Sequence, residues 1–212
     1  MISFKDKTVF VLAPHTDDGE LGCGGTISKI LEEGGKVYYI AFSTADESVP
    51  PQFPRNQLEI EVKLATQKLG IPADQLIIYK YEVRMLNYVR QEILQQLVDL
   101  KKTYKPDMVF LPSSKDIHQD HVTVTQEGIR AFKQTTILGY ELIWNNLSFN
   151  TDCFVKLEKH HIDDKIASLQ EYKTQEGRDY MSGRFIEALG HTRGVQIGTD
   201  YAETFEVIRW VF

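Results

Sequence analysis

The segment PHTDDGELGCGGT at residues 14–26 directly follows the apolar run TVFVLA at residues 8–13, and this junction is the strongest indication of the fold. Short, near-continuous apolar runs are typical of strands that are buried on both faces. The stretch is therefore predicted to form a loop at the carboxyl end of a buried strand. Open parallel α/β sheets bind their ligands outside this end of the strands, so the histidine and acidic residues of the loop indicate a functional site.

Strand and helix patterns alternate outward from this loop. Apolar runs at residues 36–42, 76–79 and 107–112 predict three more strands, and apolar residues at three- or four-residue spacing between them predict helices. The alternation predicts an α/β fold of the Rossmann-like type, in which a mostly parallel sheet carries helices on both faces. Weaker patterns in the last third, ending in a strand over 204–211, predict a mixed extension of the same sheet.

The composition limits the classes of protein to consider. The chain has 212 residues, a net charge of -6 and two cysteines, and we expect residues 1–212 to form a single domain. The acidic balance and the lack of a basic stripe argue against nucleic acid as a partner. Because we find neither a run of about 18 apolar residues nor a basic leader before an apolar run, we expect no membrane insertion, no secretion and a cytoplasmic location. Both cysteines are expected to be free thiols, and the assembly state stays open between a monomer and a homo-oligomer.

A second polar cluster, DIHQDH at residues 116–121, follows the last of the apolar runs, and a helix is expected near 122–133. Catalytic zinc usually takes three protein ligands from histidine and carboxylate side chains and keeps a fourth position open. His15, Asp18 and His121 can supply such a set, so the two clusters predict one metal site. Zinc is the expected ion, and Fe²⁺ or Co²⁺ are ions that the same ligands accept.

Further side chains in the two clusters suggest hydrolytic chemistry. Asp17 is predicted to accept a proton from water, whose pKa a metal ion lowers to about 7. His118, as an imidazolium, is predicted to stabilise an oxyanion and to protonate a leaving amine. Asp120 is predicted to orient His118 and to raise its pKa. A competing interpretation assigns Asp17 and Asp18 to a helix N-terminus, where capping and the helix dipole stabilise by about 1 kcal/mol.

Other interpretations of the same residues fit less well. A dinucleotide-binding loop would need glycine where Ile27 stands. A non-haem iron centre would use two histidines and one carboxylate, but the strand and helix alternation argues against it. Cys23 lies between glycines, where packing explains a small residue better than nucleophilic catalysis does. A second metal site at His160 and His161 is not expected, because adjacent residues at a helix start should point in different directions.

The two clusters resemble the motifs of a known family. HTDDGE at residues 15–20 and HQDH at residues 118–121 resemble the motifs His-Pro-Asp-Asp-(x)-Glu and His-x-Asp-His of the PIG-L or LmbE-like zinc-dependent N-deacetylases. Weaker matches follow at Lys165, Tyr172, Gln175 and residues 202–206. The resemblance implies an LmbE-like fold and removal of the acetyl group from an N-acetylglucosamine-type sugar or sugar conjugate, a small-molecule substrate. The roles it implies agree with those above: zinc ligands His15, Asp18 and His121, base Asp17, oxyanion stabiliser or general acid His118, and its orienting partner Asp120.

Substrate contacts and two rival functions remain to be considered. Arg55 is a candidate contact for a substrate hydroxyl, phosphate or carboxylate, with a solvated charge as the alternative. Arg84 and Arg193 can line a sugar pocket or lie on the surface, and Trp144 can stack on a sugar or pack in the core. Residues 45–54 are expected to overhang the site. The rival functions are carbohydrate binding without turnover and a metal-dependent phosphoesterase, which usually uses two metal ions and more carboxylates.

Overall fold

A computed structural model describes residues 3–211. Within these residues seven strands form one sheet, flanked by six α-helices. The strands are β1 Thr8–Ala13, β2 Lys36–Ala41, β3 Leu76–Ile78, β4 Met108–Pro112, β5 Thr136–Tyr140, β6 Cys153–Leu157 and β7 Tyr201–Arg209. The helices are α1 Asp18–Glu32, α2 Gln57–Lys68, α3 Arg90–Tyr104, α4 Gln119–Ala131, α5 Lys159–Leu169 and α6 Gly183–Val195.

The sheet has the order β3-β2-β1-β4-β5-β7-β6. Strands β1 to β5 pair in parallel, whereas β7 runs antiparallel to both β5 and β6. This arrangement confirms the Rossmann-like sheet with a mixed C-terminal extension. Because the chain leaves β1 towards β2 on one side and returns to β4 on the other, the sheet has its topological switch point between β1 and β4.

Both faces of the sheet are covered. Along β1, Val9 and Val11 belong to one apolar cluster and Phe10 and Leu12 to another, and each of these side chains is fully buried. Burial on both faces removes the polar positions that an exposed face would carry, which explains the near-continuous apolar runs of the sequence.

The two motif-bearing helices begin earlier than predicted. Helix α1 starts at Asp18, so the glycine-rich stretch lies within the helix and is not a loop. Helix α4 starts at Gln119 rather than near residue 122. The glycines allow the helix to approach the sheet closely, because a Cβ atom on Gly19 would overlap the Tyr39 ring and one on Gly22 would overlap the Tyr140 ring. The sequence pattern predicted a loop here because glycine is unfavourable in a helix unless close packing requires it.

Helix α1 is interrupted at Cys23, whose backbone angles of φ -147° and ψ 27° are not helical. The break frees backbone groups that two buried charged side chains satisfy. Lys165 Nζ donates to the carbonyl oxygen of Leu21 at 2.7 Å, and the Glu203 carboxylate accepts from the N–H groups of residues 25 and 26 at 3.1 and 2.7 Å. Lys165 and Glu203 also pair with each other at 2.7 Å. The ion pair therefore fixes the shape of the helix that carries the first motif.

The C-terminal third departs from the sequence prediction in two places. Helix α6 was not predicted, and two of its buried positions are glycines, Gly190 and Gly194, which weaken the apolar periodicity. Strand β7 begins at Tyr201 rather than at residue 204. Among the described residues, the helices are all too short or too polar to cross a membrane.

Candidate metal centre and substrate pocket

The two motifs meet at the switch point of the sheet. His15 follows β1, and Asp18 is the first residue of α1. His118 precedes α4, the helix that follows β4, and His121 lies in the first turn of that helix. Since β1 and β4 are neighbours, the two clusters are adjacent although about a hundred residues separate them in the chain, as the side-chain contact between His15 and His121 illustrates.

The three expected metal ligands converge on one point. Asp18 Oδ2 lies 3.1 Å from His15 Nδ1 and 3.2 Å from His121 Nε2, and the two imidazole nitrogens are 3.3 Å apart. A tetrahedral zinc ion with bonds of about 2.0–2.1 Å would hold its ligand atoms at separations of roughly 3.3 Å. The triangle of ligand atoms therefore fits one zinc-sized ion.

Hydrogen bonds on the far sides of both rings fix which nitrogen is free. His15 Nε2 lies 2.9 Å from Asp120 Oδ2, and His121 Nδ1 lies 2.8 Å from Asp116 Oδ2. Because a carboxylate only accepts, each of these nitrogens carries a proton, so in the neutral rings the opposite nitrogens direct their lone pairs towards Asp18. In that state three acceptor atoms face one another and repel unless a cation lies between them, either a metal ion or a further proton on the rings. The carboxylate–histidine arrangement is the one that proteins use to orient metal-ligating histidines.

Asp116, which was not predicted as a site residue, bonds His121, and the Asp120 side chain contacts His15 rather than His118. Asp116 is the first residue of the DIHQDH cluster, so its spacing from His121 was available as a signal. The Asp120 carboxylate contacts His15 and accepts from the backbone N–H groups of Arg84 and Leu86 at 2.6 and 3.3 Å. Among the described residues, Asp120 forms a hydrogen bond with His118 only through its backbone N–H, not through its carboxylate. The Asp120 side chain thus bonds the ring of the expected ligand His15 and the loop after β3, and it makes no hydrogen bond to His118 of the predicted orienting kind among the described residues.

The charges of the cluster shift the pKa values of its members. Burial disfavours the charged imidazole, but the charge of Asp18 and the hydrogen bond to Asp120 outweigh it and raise the pKa of His15 to about 9. Burial is likewise outweighed at His121, where Asp18 and Asp116 raise the pKa to about 10. Burial opposes ionisation of Asp18, yet the charges of His121 and His15 hold its pKa well below the usual range. The carboxylates therefore favour a positive charge at this point of the structure.

His118 presents a proton donor rather than a ligand. Its Nδ1 accepts from the backbone N–H of Asp120 at 3.2 Å, so the neutral ring carries its proton on Nε2. Burial, followed by the charges of His121 and His15, lowers the pKa of His118, which argues against the expected imidazolium. A ring nitrogen of His118 also lies within 4.8 Å of the ligand nitrogens of His15 and His121. To bind an ion through Nε2, the neutral ring would have to lose the proton that Nε2 carries. The geometry therefore favours donation of a hydrogen bond from Nε2–H.

Asp17 is half-buried and lines the same cavity. Its side chain does not cap α1, and no hydrogen bond to its carboxylate is formed by the described residues. Burial and the neighbouring charge of Asp18 raise the pKa of Asp17 to about 6. The helix-capping interpretation is therefore wrong for Asp17, whose carboxylate is free to accept a proton.

Two buried tyrosine hydroxyls form hydrogen bonds with the backbone between His15 and Asp17. The Tyr39 and Tyr172 hydroxyls lie 2.8 and 2.6 Å from the carbonyl oxygen of Thr16, and both also contact the Glu20 carboxyl group. Burial raises the pKa of Glu20 to about 8. Glu20 and the two tyrosines thus fix the turn that carries Asp17, a contact that the sequence alone does not reveal.

The ligand atoms open into a cavity of about 230 Å³. Pockets that enclose a whole drug-sized ligand measure roughly 300–1,000 Å³, so this cavity is smaller than such a pocket. Polar, charged and aromatic side chains share the lining. They are His15, Thr16, Asp17, Asp18, Leu21, Ala45, Ser48, Leu58, Val83, Arg84, His118, His121, Trp144, Asn145, Gln175, Arg178 and Tyr180.

The expected substrate contacts are only partly placed at this cavity. Arg55 does not line it: its side chain is 82% exposed and its ionic contact is Glu47 at 3.9 Å, because it precedes α2 on the solvent side. Arg193 pairs with the buried Glu141 outside the cavity. Arg84 and Trp144 do line it. The segment over residues 45–54, which was predicted to overhang the site, contributes Ala45 and Ser48 to the cavity lining. Cys23 is buried and burial raises the pKa of its thiol, which agrees with a packing role.

A second cluster joins α1 to α5 outside the cavity. The Nε2 atoms of His160 and His161 lie 3.2 and 2.7 Å from the Glu32 carboxylate, so the two rings do not point apart as predicted. His161 Nδ1 accepts from the backbone N–H of Glu158 at 2.9 Å, which places the ring proton on Nε2. The Glu32 contact is therefore a hydrogen bond between helices, and His161 offers no bare nitrogen to a metal ion.

Fold and site together define an α/β protein with a candidate His–Asp–His metal centre at the switch point of a Rossmann-like sheet. The chain belongs to the PIG-L family: the family's sequence profile, described as GlcNAc-PI de-N-acetylase, matches residues 10–132. Both site motifs lie within this match.

Individual relatives extend the similarity over most of the chain. The uncharacterized deacetylase YaiS of Escherichia coli K12 is 26% identical over 176 residues, which are 80% of this chain and 92% of the relative. A diacetylchitobiose deacetylase of Thermococcus kodakarensis is 25% identical over 163 residues, 74% of this chain and 57% of the relative. The crystal structure of the conserved protein TT1542 from Thermus thermophilus has a TM-score of 0.81 at 25% identity and covers 97% of this chain and 96% of its own. The chain is thus similar to deacetylases, and the expected LmbE-like fold is confirmed.

Proposed function

We propose that this protein is a zinc-dependent hydrolase that removes the N-acetyl group from an N-acetylglucosamine-type sugar or sugar conjugate. The observation that carries the proposal is the convergence of His15 Nδ1, Asp18 Oδ2 and His121 Nε2 at 3.1–3.3 Å, with both ring protons held on the far side. Membership of a de-N-acetylase family and similarity to a diacetylchitobiose deacetylase support the choice of substrate.

In this proposal the three ligand atoms hold the ion, and the chain's own side chains move the protons. When bound, zinc supplies Lewis-acid polarisation of the amide carbonyl and lowers the pKa of water. The Asp17 carboxylate accepts a proton from the attacking water as the water oxygen bonds to the carbonyl carbon of the amide. His118 donates a hydrogen bond from Nε2–H to the oxyanion. Asp17 then returns the proton to the nitrogen as the carbon–nitrogen bond breaks, and acetate and an amino sugar leave.

The rival functions have less support. A phosphoesterase of the two-metal type needs carboxylates that bridge a second ion. Asp116 and Asp120, the nearby candidates, are already bonded to the ring protons of His121 and His15. Binding without turnover would give no role to the Asp17 carboxylate, which lines the cavity and has a raised pKa.

Acetate release tests the proposal directly. Purified protein, chelator-stripped protein and zinc-reloaded protein are incubated with N-acetylglucosamine, its phosphates and N,N'-diacetylchitobiose. We expect release that is lost on stripping, restored by zinc and reduced at least about 100-fold in Asp17→Asn, since general bases contribute roughly 10²–10⁴-fold. The variant should bind zinc as the wild type does. Equal release by stripped protein or by Asp17→Asn would refute the proposed chemistry.

A further inference from the structure

Trp144 is an exposed aromatic side chain at the candidate site that the proposed chemistry does not use. It lines the cavity together with the metal-ligand cluster and is 38% exposed. An indole ring is a large apolar surface, and burying it against a ligand removes it from water. An exposed tryptophan in a cavity of otherwise mostly polar lining therefore points to a ligand with an apolar face.

One face of the indole is already occupied. The Trp144 and Tyr180 rings stack with centroids 4.0 Å apart and planes inclined by 20°, and the Phe185 ring lies 6.5 Å away. This packing restricts the rotation of the indole, and Trp144 and Tyr180 both line the cavity. A preordered aromatic surface loses little side-chain entropy on binding.

The turn that carries Trp144 is attached to the second motif. The carbonyl oxygen of Asn145 accepts from the backbone N–H of Ile117 at 3.2 Å, and Asp116 forms an isolated β-bridge with Asn146. Asp116 also bonds the His121 ring. Asp116 therefore links the turn that carries Trp144 to the expected ligand His121.

Polar side chains of the same cavity complement the aromatic surface. Gln175 is 6% exposed, and the described residues offer its Oε1 no hydrogen-bond partner. Ser48 and Asn145 add further polar groups to the lining. A pyranose ring has an apolar C–H face and hydroxyl groups around its edge, which matches an aromatic surface bordered by hydrogen-bonding groups.

We propose that Trp144, backed by Tyr180, stacks on the pyranose ring of the substrate and so selects a sugar-borne N-acetyl group. The inference rests on the proposed deacetylase function and deepens it, because it assigns a specificity-determining residue. Loss of this contact is expected to weaken affinity about 3- to 10-fold, which corresponds to roughly 0.7–1.4 kcal/mol.

Steady-state kinetics of zinc-loaded variants provide the first test. Trp144→Ala should raise KM for N-acetylglucosamine conjugates about 3- to 10-fold with kcat nearly unchanged, and Trp144→Phe should recover much of the loss. Trp210→Ala is the matched control, since Trp210 is 37% exposed but lies outside the site cavity. Zinc content is measured in each variant. A loss of kcat or zinc in Trp144→Ala, or an unchanged KM, would overturn the proposal by indicating a structural role or none.

Intrinsic fluorescence tests the contact without turnover. The chain has two tryptophans, so Trp210→Phe leaves Trp144 as the sole indole and Trp144→Phe leaves Trp210. Titration with N-acetylglucosamine should change the emission of the first variant and leave the second unchanged. If the wild type binds sugar without releasing acetate, the proposed function fails while this response still supports the stacking role. If the first variant does not respond at concentrations that saturate wild-type turnover, or if no sugar binds, the stacking proposal is wrong.

Discussion

At the residue scale, hydrogen bonds decide which atom of each histidine is available. His15 and His121 have their ring protons bound by Asp120 and Asp116, which frees the nitrogens that face Asp18. His118 accepts a backbone N–H at Nδ1 and keeps its proton on Nε2. Three histidines in one cluster therefore differ in which ring nitrogen carries the proton, and their carboxylate or backbone partners explain the difference.

Removing a carboxylate behind a ligand should weaken metal binding without abolishing it. Asp116→Asn replaces the charged acceptor of the His121 Nδ1–H by an amide, and such changes cost about 10- to 100-fold in metal affinity. His121→Ala removes the ligand itself and should reduce affinity further. Zinc affinity is measured by competition with a chromogenic chelator. Equal affinities for Asp116→Asn and the wild type would contradict the assigned support of His121.

His118 should affect turnover more than metal binding. His118→Ala removes the Nε2–H donor and is expected to lower kcat about 10²–10³-fold, as removal of an oxyanion-stabilising donor does. Acetate release and bound zinc are measured on the same preparation. His191→Ala, a change of an exposed histidine outside the cavity, should leave both values unchanged. Loss of zinc from His118→Ala would instead assign His118 as a ligand.

At the scale of the elements, the break in α1 depends on partners from α5 and β7. Lys165 on α5 and Glu203 on β7 satisfy the backbone groups that the break at Cys23 frees. The exposed fractions of the two charged side chains are 5% and 8%. A buried ion pair of this kind contributes through the backbone groups it satisfies as well as through its own attraction.

Breaking this pair should destabilise the protein strongly. Glu203→Gln leaves the Lys165 charge buried and unpaired, which is expected to lower the free energy of unfolding by about 3–5 kcal/mol. Adding Lys165→Met to that change should recover part of the loss. Urea unfolding measures both. Glu187→Gln, at an exposed pair with Lys159 at 3.7 Å, is the control and should cost about 0–1 kcal/mol. A similarly small loss in Glu203→Gln would show that the break does not need the pair.

At the scale of the whole molecule, the proposed metal centre would connect two separate parts of the chain. Its first two proposed ligands come from the β1–α1 junction and the third from the start of α4, on either side of the switch point. An ion at this point would bind the folded chain and not the unfolded one. Metal binding and global stability should therefore be linked.

Zinc removal should lower the thermal unfolding midpoint. Free zinc at about 100 times its dissociation constant contributes roughly 2.7 kcal/mol of stability by mass action. Calorimetry of stripped and reloaded protein measures this shift, and His121→Ala should show a much smaller one. A midpoint that does not depend on zinc in the wild type would contradict a resident metal ion at these ligands.

The strand and helix alternation, the mostly parallel sheet and the grouping of the two motifs at strand ends could be predicted from the sequence. They could be predicted because apolar periodicity depends on local composition, and parallel strands bring their carboxyl ends together. The strand order, the helical state of the glycine-rich stretch, the tautomers of the histidines and the partner of Asp120 became known only from the tertiary structure. The structure also shows that Arg55 lies outside the cavity and that Trp144 lines it. Such features depend on contacts between residues that are distant in the chain, and those contacts leave no periodic signal in the sequence.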